Sequence, residues 1–209
     1  KASNHTEEEW GQILSFLDNC SAVGMRVHYH LNSLAVLPDA PAKYSILREE
    51  VMRVKDHPAL LAYYIADEPG GAHIAPEKLE KVYAFVKNLD PHHPMTMAFC
   101  CCDPLEYRNA FDIGMMDPYP IVSAVSDSDN HQRLVSMVTG AANSLAATNK
   151  PFFIVLQAFG GREAWQRSPT AAEERLMAYL ALVHGAVGLQ YFVRAPDCVF
   201  PQSPSPWQE

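Results

Sequence analysis

The sequence predicts an α/β fold of parallel strands, and three observations carry the prediction. Short apolar runs alternate with amphipathic helical stretches along nearly the whole chain. Almost every apolar run ends in polar or aromatic residues, as strands do when they deliver side chains to a shared rim. At 209 residues with 48% hydrophobic content, the chain is long and apolar enough for one domain with a sizeable core.

The elements follow in order. Thr6 and Glu9 form a capping box, and Trp10, Ile13, Leu14 and Leu17 then recur at helical spacing, which predicts a first helix. Gly24 stops it, and residues 25–31 read as a strand with His28 and His30 on one face. Pro38 and Pro41 mark a loop before a helix over about 44–55. Leu60-Leu-Ala-Tyr-Tyr-Ile-Ala-Asp-Glu-Pro69 is a buried strand closed by two carboxylates and a proline. Pro76 suits the first turn of a helix ending near Lys87, and Pro91-His-His-Pro94 leads into a strand over 95–101. Residues 104–110 give a short helix, 112–117 a strand closed by Pro118-Tyr-Pro120, and a long polar loop then precedes a helix over about 131–148. A strand over 151–157, a helix over 170–184 and a strand over 187–193 complete six strands. The Pro-rich segment 201–209 reads as a loop or the start of a linker, within a single domain over 1–209.

The bulk properties exclude several classes. A net charge of −8 without a Lys or Arg block disfavours nucleic acid and anionic membranes as partners. The apolar stretch 176–193 contains His184, Gly185 and Gln190, so it reads as a helix breaking into a strand and not as a membrane span. Five cysteines, three of them consecutive at Cys100, Cys101 and Cys102, form neither a disulfide framework nor a zinc ribbon. The triplet reads as strand packing, with Cys100 and Cys102 on one face. Sequons at Asn4 and Asn19 fit a secreted or extracellular protein; no signal peptide precedes them, and the abrupt helical start suggests chain upstream.

The chemistry concentrates at the strand ends: His28 and His30, Asp67 and Glu68, Cys102 and Asp103, Asp117 and Tyr119, Gln157, then Tyr191 and Arg194. In a parallel α/β barrel these ends share one face, so the residues would converge on one cleft. Neighbouring side chains of a strand point to opposite sides, so Asp67 and Glu68 do different jobs. Tyr119, Phe159, Trp165 and Tyr191 offer flat surfaces for the C–H faces of sugar rings. The bland alternatives are a strand-end ion pair from Glu68 to an arginine and ordinary aromatic packing. His28 and His30 also admit a metal-dependent hydrolase, with Asp67 or Asp117 as third ligand.

Residues 55–69 resemble the fourth strand of retaining glycoside hydrolases with a (β/α)8 barrel, in which the glutamate before the proline is the acid/base. Asp117-Pro-Tyr-Pro120 resembles the end of the sixth strand, residues 151–159 the seventh and residues 184–192 the eighth. The resemblance implies a TIM barrel with strands three to eight in this chain and one and two supplied by chain upstream. It also implies an oligosaccharide or polysaccharide substrate, no cofactor and no metal, with Glu68 as general acid. Asp67 and Asp117 would be further catalytic carboxylates, and His28, His30, Tyr119, Gln157, Tyr191 and Arg194 would bind substrate. The acid role asks Glu68 to hold a proton near neutrality, which Asp67, Tyr63, Tyr64, Phe99 and Tyr119 could promote.

One departure stands out. The family places a glutamate nucleophile at the end of strand seven, where this chain has Gln157, and an amide cannot form a glycosyl ester. Asp117 or Asp67 could act as second carboxylate, or the substrate could supply its own nucleophile, the adjacent Asp-Glu pair resembling that of substrate-assisted hexosaminidases. Otherwise the barrel is a catalytically silent carbohydrate-binding or structural domain.

Overall fold

The computed structural model describes residues 5–100, 102–122, 126–161, 164–165 and 167–193. Arg194, the sequon residue Asn4, Cys101 and the segment 201–209 lie outside the described residues. The chain forms two compact units, one of residues 1–102 and 106–113, the other of residues 103–105 and 114–209. Among the described residues, no helix is long and apolar enough to cross a membrane.

The first unit opens with α1 (Glu7–Ala22), and the capping box is present: the Thr6 hydroxyl accepts from Glu9 N and the Glu9 carboxylate accepts from Thr6 N. Then come β1 (Val27–His30), α2 (Asn32–Ala35), α3 (Pro41–Val54), β2 (Leu60–Asp67), α4 (Pro76–Leu89) and β3 (Met95–Phe99). Strand order is β1-β2-β3, and both pairs are parallel. Pro41 and Pro76 each occupy the first turn of their helices, where the missing N–H costs nothing. The core is Leu47, Val51 and Val54 of α3, Leu79, Val82 and Val86 of α4, and the inner residues of β2 and β3, all with no exposed surface.

Two aspartates organise the edges of this unit. Asp90 accepts hydrogen bonds from the amides of His92 and His93, from Tyr63 Oη at 2.8 Å, and lies 2.7 Å from His93 Nδ1. Asp112 accepts from Met95 N and Tyr83 Oη and pairs with Lys87 Nζ at 2.8 Å. Burial alone would raise both carboxyls, yet these hydrogen bonds hold both below the usual carboxylate range.

The second unit carries β4 (Ile113–Met116), whose first residue counts with the other unit, then α5 (Asp127–Ala146), β5 (Phe152–Gln157), α6 (Ala171–Val183) and β6 (Gly188–Phe192). Order is β4-β5-β6, again parallel. Gly185, at φ +97°, ends α6 in a conformation other residues resist, and the apolar stretch 176–193 divides there into helix and strand as the sequence indicates. A second capping box starts α6, with Thr170 and Glu173 reciprocally bonded.

Four expectations are corrected. Residues 32–35, expected as loop, form α2, because Leu34 N and Ala35 N both find Leu31 O. Helix α5 begins at Asp127, four residues before the expected 131, because Ser126 caps it by accepting from Asp129 N. Strand β3 ends at Phe99, so Cys100 and Cys102 lie in the bends beyond the strand and are not packed on its faces. A 3-10 helix (Pro104–Ala110) then follows over the expected residues. Tyr63, expected near Glu68, instead spends its hydroxyl on Asp90, ahead of β3.

Replacing Thr170 by Ala removes the α6 cap, and should lower unfolding free energy by about 1 kcal/mol in urea titration, with Ser restoring most of it.

Candidate active site

In the first unit the candidate residues sit where β1 and β2 leave the sheet. Glu68 follows the last residue of β2; its N–H donates to Ala98 O at 3.0 Å, extending the ladder by one residue. Its backbone is then left-handed, φ +45°, an uncommon and costly conformation for a residue with a Cβ. The chain turns through Pro69-Gly70-Gly71, with Ala72 N donating to Glu68 O, His73 N to Gly70 O and Ile74 N to Pro69 O. Glu68 is half-buried, and among the described residues no ion pair or side-chain hydrogen bond engages its carboxyl. The arginine pair weighed from the sequence is therefore absent among the described residues.

Asp67 is exposed and accepts from Tyr64 Oη at 2.6 Å. The Tyr64 ring lies 5.4 Å from that of His30, its register partner on β1, so contacts run from His30 through Tyr64 to Asp67. His28 lies two residues earlier on the same face, half-buried in a groove of about 380 Å³ between α1 and β1, where Ile13, Phe16 and Leu17 also contribute. Burial there pushes its imidazole below the ordinary value, favouring the neutral ring. No group of three or more His, Cys, Asp or Glu able to hold a metal ion occurs among the described residues.

In the second unit the loop after β4 is clamped by side chains. Pro118 and Pro120 have no N–H to offer, so the loop's remaining polar groups decide its shape. Gln157, ending β5 with no exposed surface, accepts from Ile121 N at 2.9 Å and donates to Ile121 O and Phe159 O. Asn130 of α5 makes the equivalent pair with Val122, accepting from its N and donating to its O. Arg133 reaches Pro120 O, and Trp165 Nε1 donates to Tyr119 O.

The clamp holds an aromatic cluster. Tyr119 stacks on Phe192 at 6.0 Å and 27°, and meets Phe159 edge-on at 4.9 Å. Trp165 closes on both Tyr119 and Phe159. Phe159 is buried, whereas Phe192 keeps 41% of its surface exposed and Tyr119 and Trp165 are half-buried, so the cluster presents ring faces to solvent. Asp117, half-buried, lies one residue beyond β4, just ahead of this cluster in sequence.

Tyr191 takes a different position. Its register partner is Leu156, while Phe192 pairs with Gln157, so alternation puts Tyr191 on the opposite face from Phe192. Burial, then the Glu174 carboxylate, raise its phenol. Glu174 and its neighbour Glu173, which the sequence reading did not single out, differ sharply. Burial works to raise Glu173, but the two-pronged Arg167 contact at 2.8 and 2.9 Å and the Thr170 amide and hydroxyl bring it down to about 2. Glu174 has a buried Oε1 with no hydrogen-bond partner among the described residues, and burial raises its carboxyl to about 7. The Thr-x-x-Glu spacing could have exposed Glu173; nothing in the sequence marks Glu174 as buried.

Comparison with solved structures shows the fold. The β-galactosidase of the Antarctic haloarchaeon Halorubrum lacusprofundi matches with a TM-score of 0.62 at 13% identity, over 72% of this chain and 35% of that one. The β-D-glucuronidase of Dictyoglomus thermophilum matches at 0.52 and 18%, over 75% and 30%. A glycoside hydrolase family 5 mannosidase from Rhizomucor miehei matches at 0.54 and 14%, over 73% and 46%. The chain thus spans less than half the length of each of these proteins. No family model and no curated protein matches the sequence.

The two glutamates predict opposite pH dependence. Glu173, lowered on folding, stabilises above its unfolded value and loses that contribution as pH falls toward 2; Glu174, raised on folding, costs stability as pH rises from its unfolded value through about 7. In Glu174→Gln, the fall of the urea midpoint between about pH 5 and about pH 8 should shrink, measured against wild type. Two sets of three parallel strands, alternating with helices and similar to those of glucuronidase, galactosidase and mannosidase structures, give this chain a glycoside hydrolase-like fold.

Proposed function

We propose that this chain is the carbohydrate-hydrolysing part of a glycoside hydrolase, with Glu68 as general acid/base. One observation carries the reading: on this fold, Asp67 ends a strand and Glu68 follows it with a carboxyl that no ion pair or side-chain hydrogen bond engages among the described residues. Buried or half-buried carboxyls elsewhere in the first unit are spent on structure, as Asp90 and Asp112 are. By the likeness, β1 to β6 correspond to strands three to eight of a (β/α)8 barrel. The outer edges of β1 and β6, which pair with no further strand among the described residues, are then where the first two strands would pair.

In this reading Glu68 protonates the departing glycosidic oxygen as the bond from the anomeric carbon breaks, then takes a proton from the water that replaces it. Asp67, aimed by Tyr64, orients the substrate; Asp117 is the first candidate for second carboxylate. Tyr119, Trp165 and Phe192 supply ring faces for sugar stacking, and His28, His30 and Arg194 supply further contacts; Tyr191, on the face of β6 opposite Phe192, is left out of the site. The substrate is a glycoside; the sugars named in the matched structures define the first panel to assay.

A second reading is a binding domain without hydrolysis, and the Gln157 clamp favours it. The position where the resemblance expects a nucleophile is fully spent on Ile121 and Phe159.

The test uses 4-nitrophenyl β-D-glucuronide, β-D-galactoside and β-D-mannoside. Wild type should release nitrophenol from at least one, and Glu68→Gln should lower kcat by about two to four orders of magnitude with KM little changed. Turnover indifferent to that substitution would make Glu68 structural. No turnover with calorimetric binding of oligosaccharides would establish the second reading. Gln157→Glu, far from creating activity, should lower the urea midpoint by the equivalent of about 1–3 kcal/mol, because it removes both donors of the clamp.

A further inference from the structure

The turn after β2 is anchored twice on the same neighbouring segment. Glu68 N is held by Ala98 O of β3, and Gly70 packs against Cys102, just past the end of that strand. The packing is unusually close: a Cβ at position 70 would lie 2.3 Å from Cys102 Cβ and 2.7 Å from its Sγ. Gly70 does not have a positive φ, so glycine is required there by Cys102 and not by backbone conformation. Beyond Gly70 the turn closes through His73 N to Gly70 O and Ile74 N to Pro69 O, and Tyr107 Oη fixes Ile74 O at 2.8 Å. Between the two anchors lie the left-handed Glu68 and Pro69, whose ring leaves little freedom.

We propose that Cys102 is a positioning residue for Glu68: by occupying the space a side chain at position 70 would need, it sets the path of the turn and the direction of the Glu68 carboxyl. This rests on the reading of Glu68 as proton donor. A strained residue holds its conformation only when its surroundings over-determine it, and Ala98 O and the Gly70 to Cys102 contact do so from either side. Displacing Gly70 would let Glu68 relax and swing its carboxyl. General acid catalysis needs hydrogen-bond reach of the leaving oxygen, so a displacement of about 1 Å is costly.

The test is a cycle of Gly70→Ala, Cys102→Gly and the double substitution, in which Cys102→Gly removes both atoms that would collide and leaves only Cys102 Cα at 3.6 Å. Two readouts are taken. The first is the 13C resonance of the Glu68 side-chain carboxyl, assigned by its loss in Glu68→Gln; it should shift in Gly70→Ala and return in the double variant. The second is kcat/KM, which reports the steps up to departure of the leaving group and not the later attack of water, on phenyl and 2,4-dinitrophenyl glycosides of the sugar found by the panel. Phenol departs only with protonation, whereas dinitrophenol departs without it, so Gly70→Ala should lose about ten- to a hundredfold on the former and less than about threefold on the latter. The double variant should recover to within about threefold. Equal losses on both leaving groups, or an unmoved resonance in folded Gly70→Ala, would overturn the proposal. Should Gly70→Ala not fold, Cys102→Gly alone must show the same leaving-group selectivity, with Cys102→Ser close to wild type; its absence overturns the proposal equally. If wild type cleaves no glycoside, the acid role falls, and the resonance alone decides whether Cys102 positions Glu68.

Discussion

The chain depends on how a parallel strand hands its hydrogen bonds over as it leaves the sheet. At three strand ends the next residue keeps the ladder going for one more step: Leu31 N donates to Tyr64 O, Glu68 N to Ala98 O, and Ala158 N to Phe192 O. Parallel bonds are slanted and evenly spaced, so the residue after each strand is as firmly placed as the strand itself. That is why side chains at these positions can be aimed although they belong to loops. Glu68 shows the consequence most clearly, because the chain must turn away at once after giving its N–H, and a left-handed backbone is the sharpest available turn. A glycine would adopt it without strain; a glutamate there costs roughly 1–3 kcal/mol.

Carboxylates at the two kinds of strand boundary are used in opposite ways. Those ahead of strands are saturated: Asp90 receives two amides, a phenol and an imidazole contact, and Asp112 an amide, a phenol and a lysine. Such groups stabilise the fold and offer nothing to a ligand. Glu68, just after β2, differs: among the described residues no ion pair or side-chain hydrogen bond engages it. The same contrast appears within one helical turn at Glu173 and Glu174, where an arginine fork fixes one charge and burial without a partner suppresses the other. Residue type alone therefore says little; what matters is which backbone amides lack partners nearby.

This is also why the sequence showed the framework more readily than the site. Period-two and period-3.6 patterns, prolines at first turns and the Thr6 to Glu9 box placed six strands and their helices in order. Glycine at 185 correctly divided the apolar stretch into helix and strand. The start of α5 was missed because the capping Ser126 sits in a polar run with no apolar period before it. The cysteine triplet looked like strand because its residues are apolar, yet β3 ends before it. Tyr63 and Tyr64 are adjacent and identical in type, and only coordinates show that one serves Asp90 and the other Asp67. The paired acids were visible because a buried strand has no reason to end in two charges.

Gln157 illustrates how a departure from a family pattern acquires a physical meaning. Ile121 presents both an N–H and a carbonyl to this side chain, and Phe159 adds a second carbonyl. A group that accepts from one and donates to the others must be an amide; a carboxylate would face two carbonyl oxygens without a proton to share. Buried among them, its charge would be repelled as well as desolvated. The loop after β4 and the amide that ends β5 are thus a matched pair, and the aromatic cluster of Tyr119, Phe159, Trp165 and Phe192 is built on their match. An ionised carboxylate at position 157 would give up both donors that this loop uses. The second carboxylate, where the reaction needs one, has to come from elsewhere, and that requirement directs attention to Asp117 and Asp67.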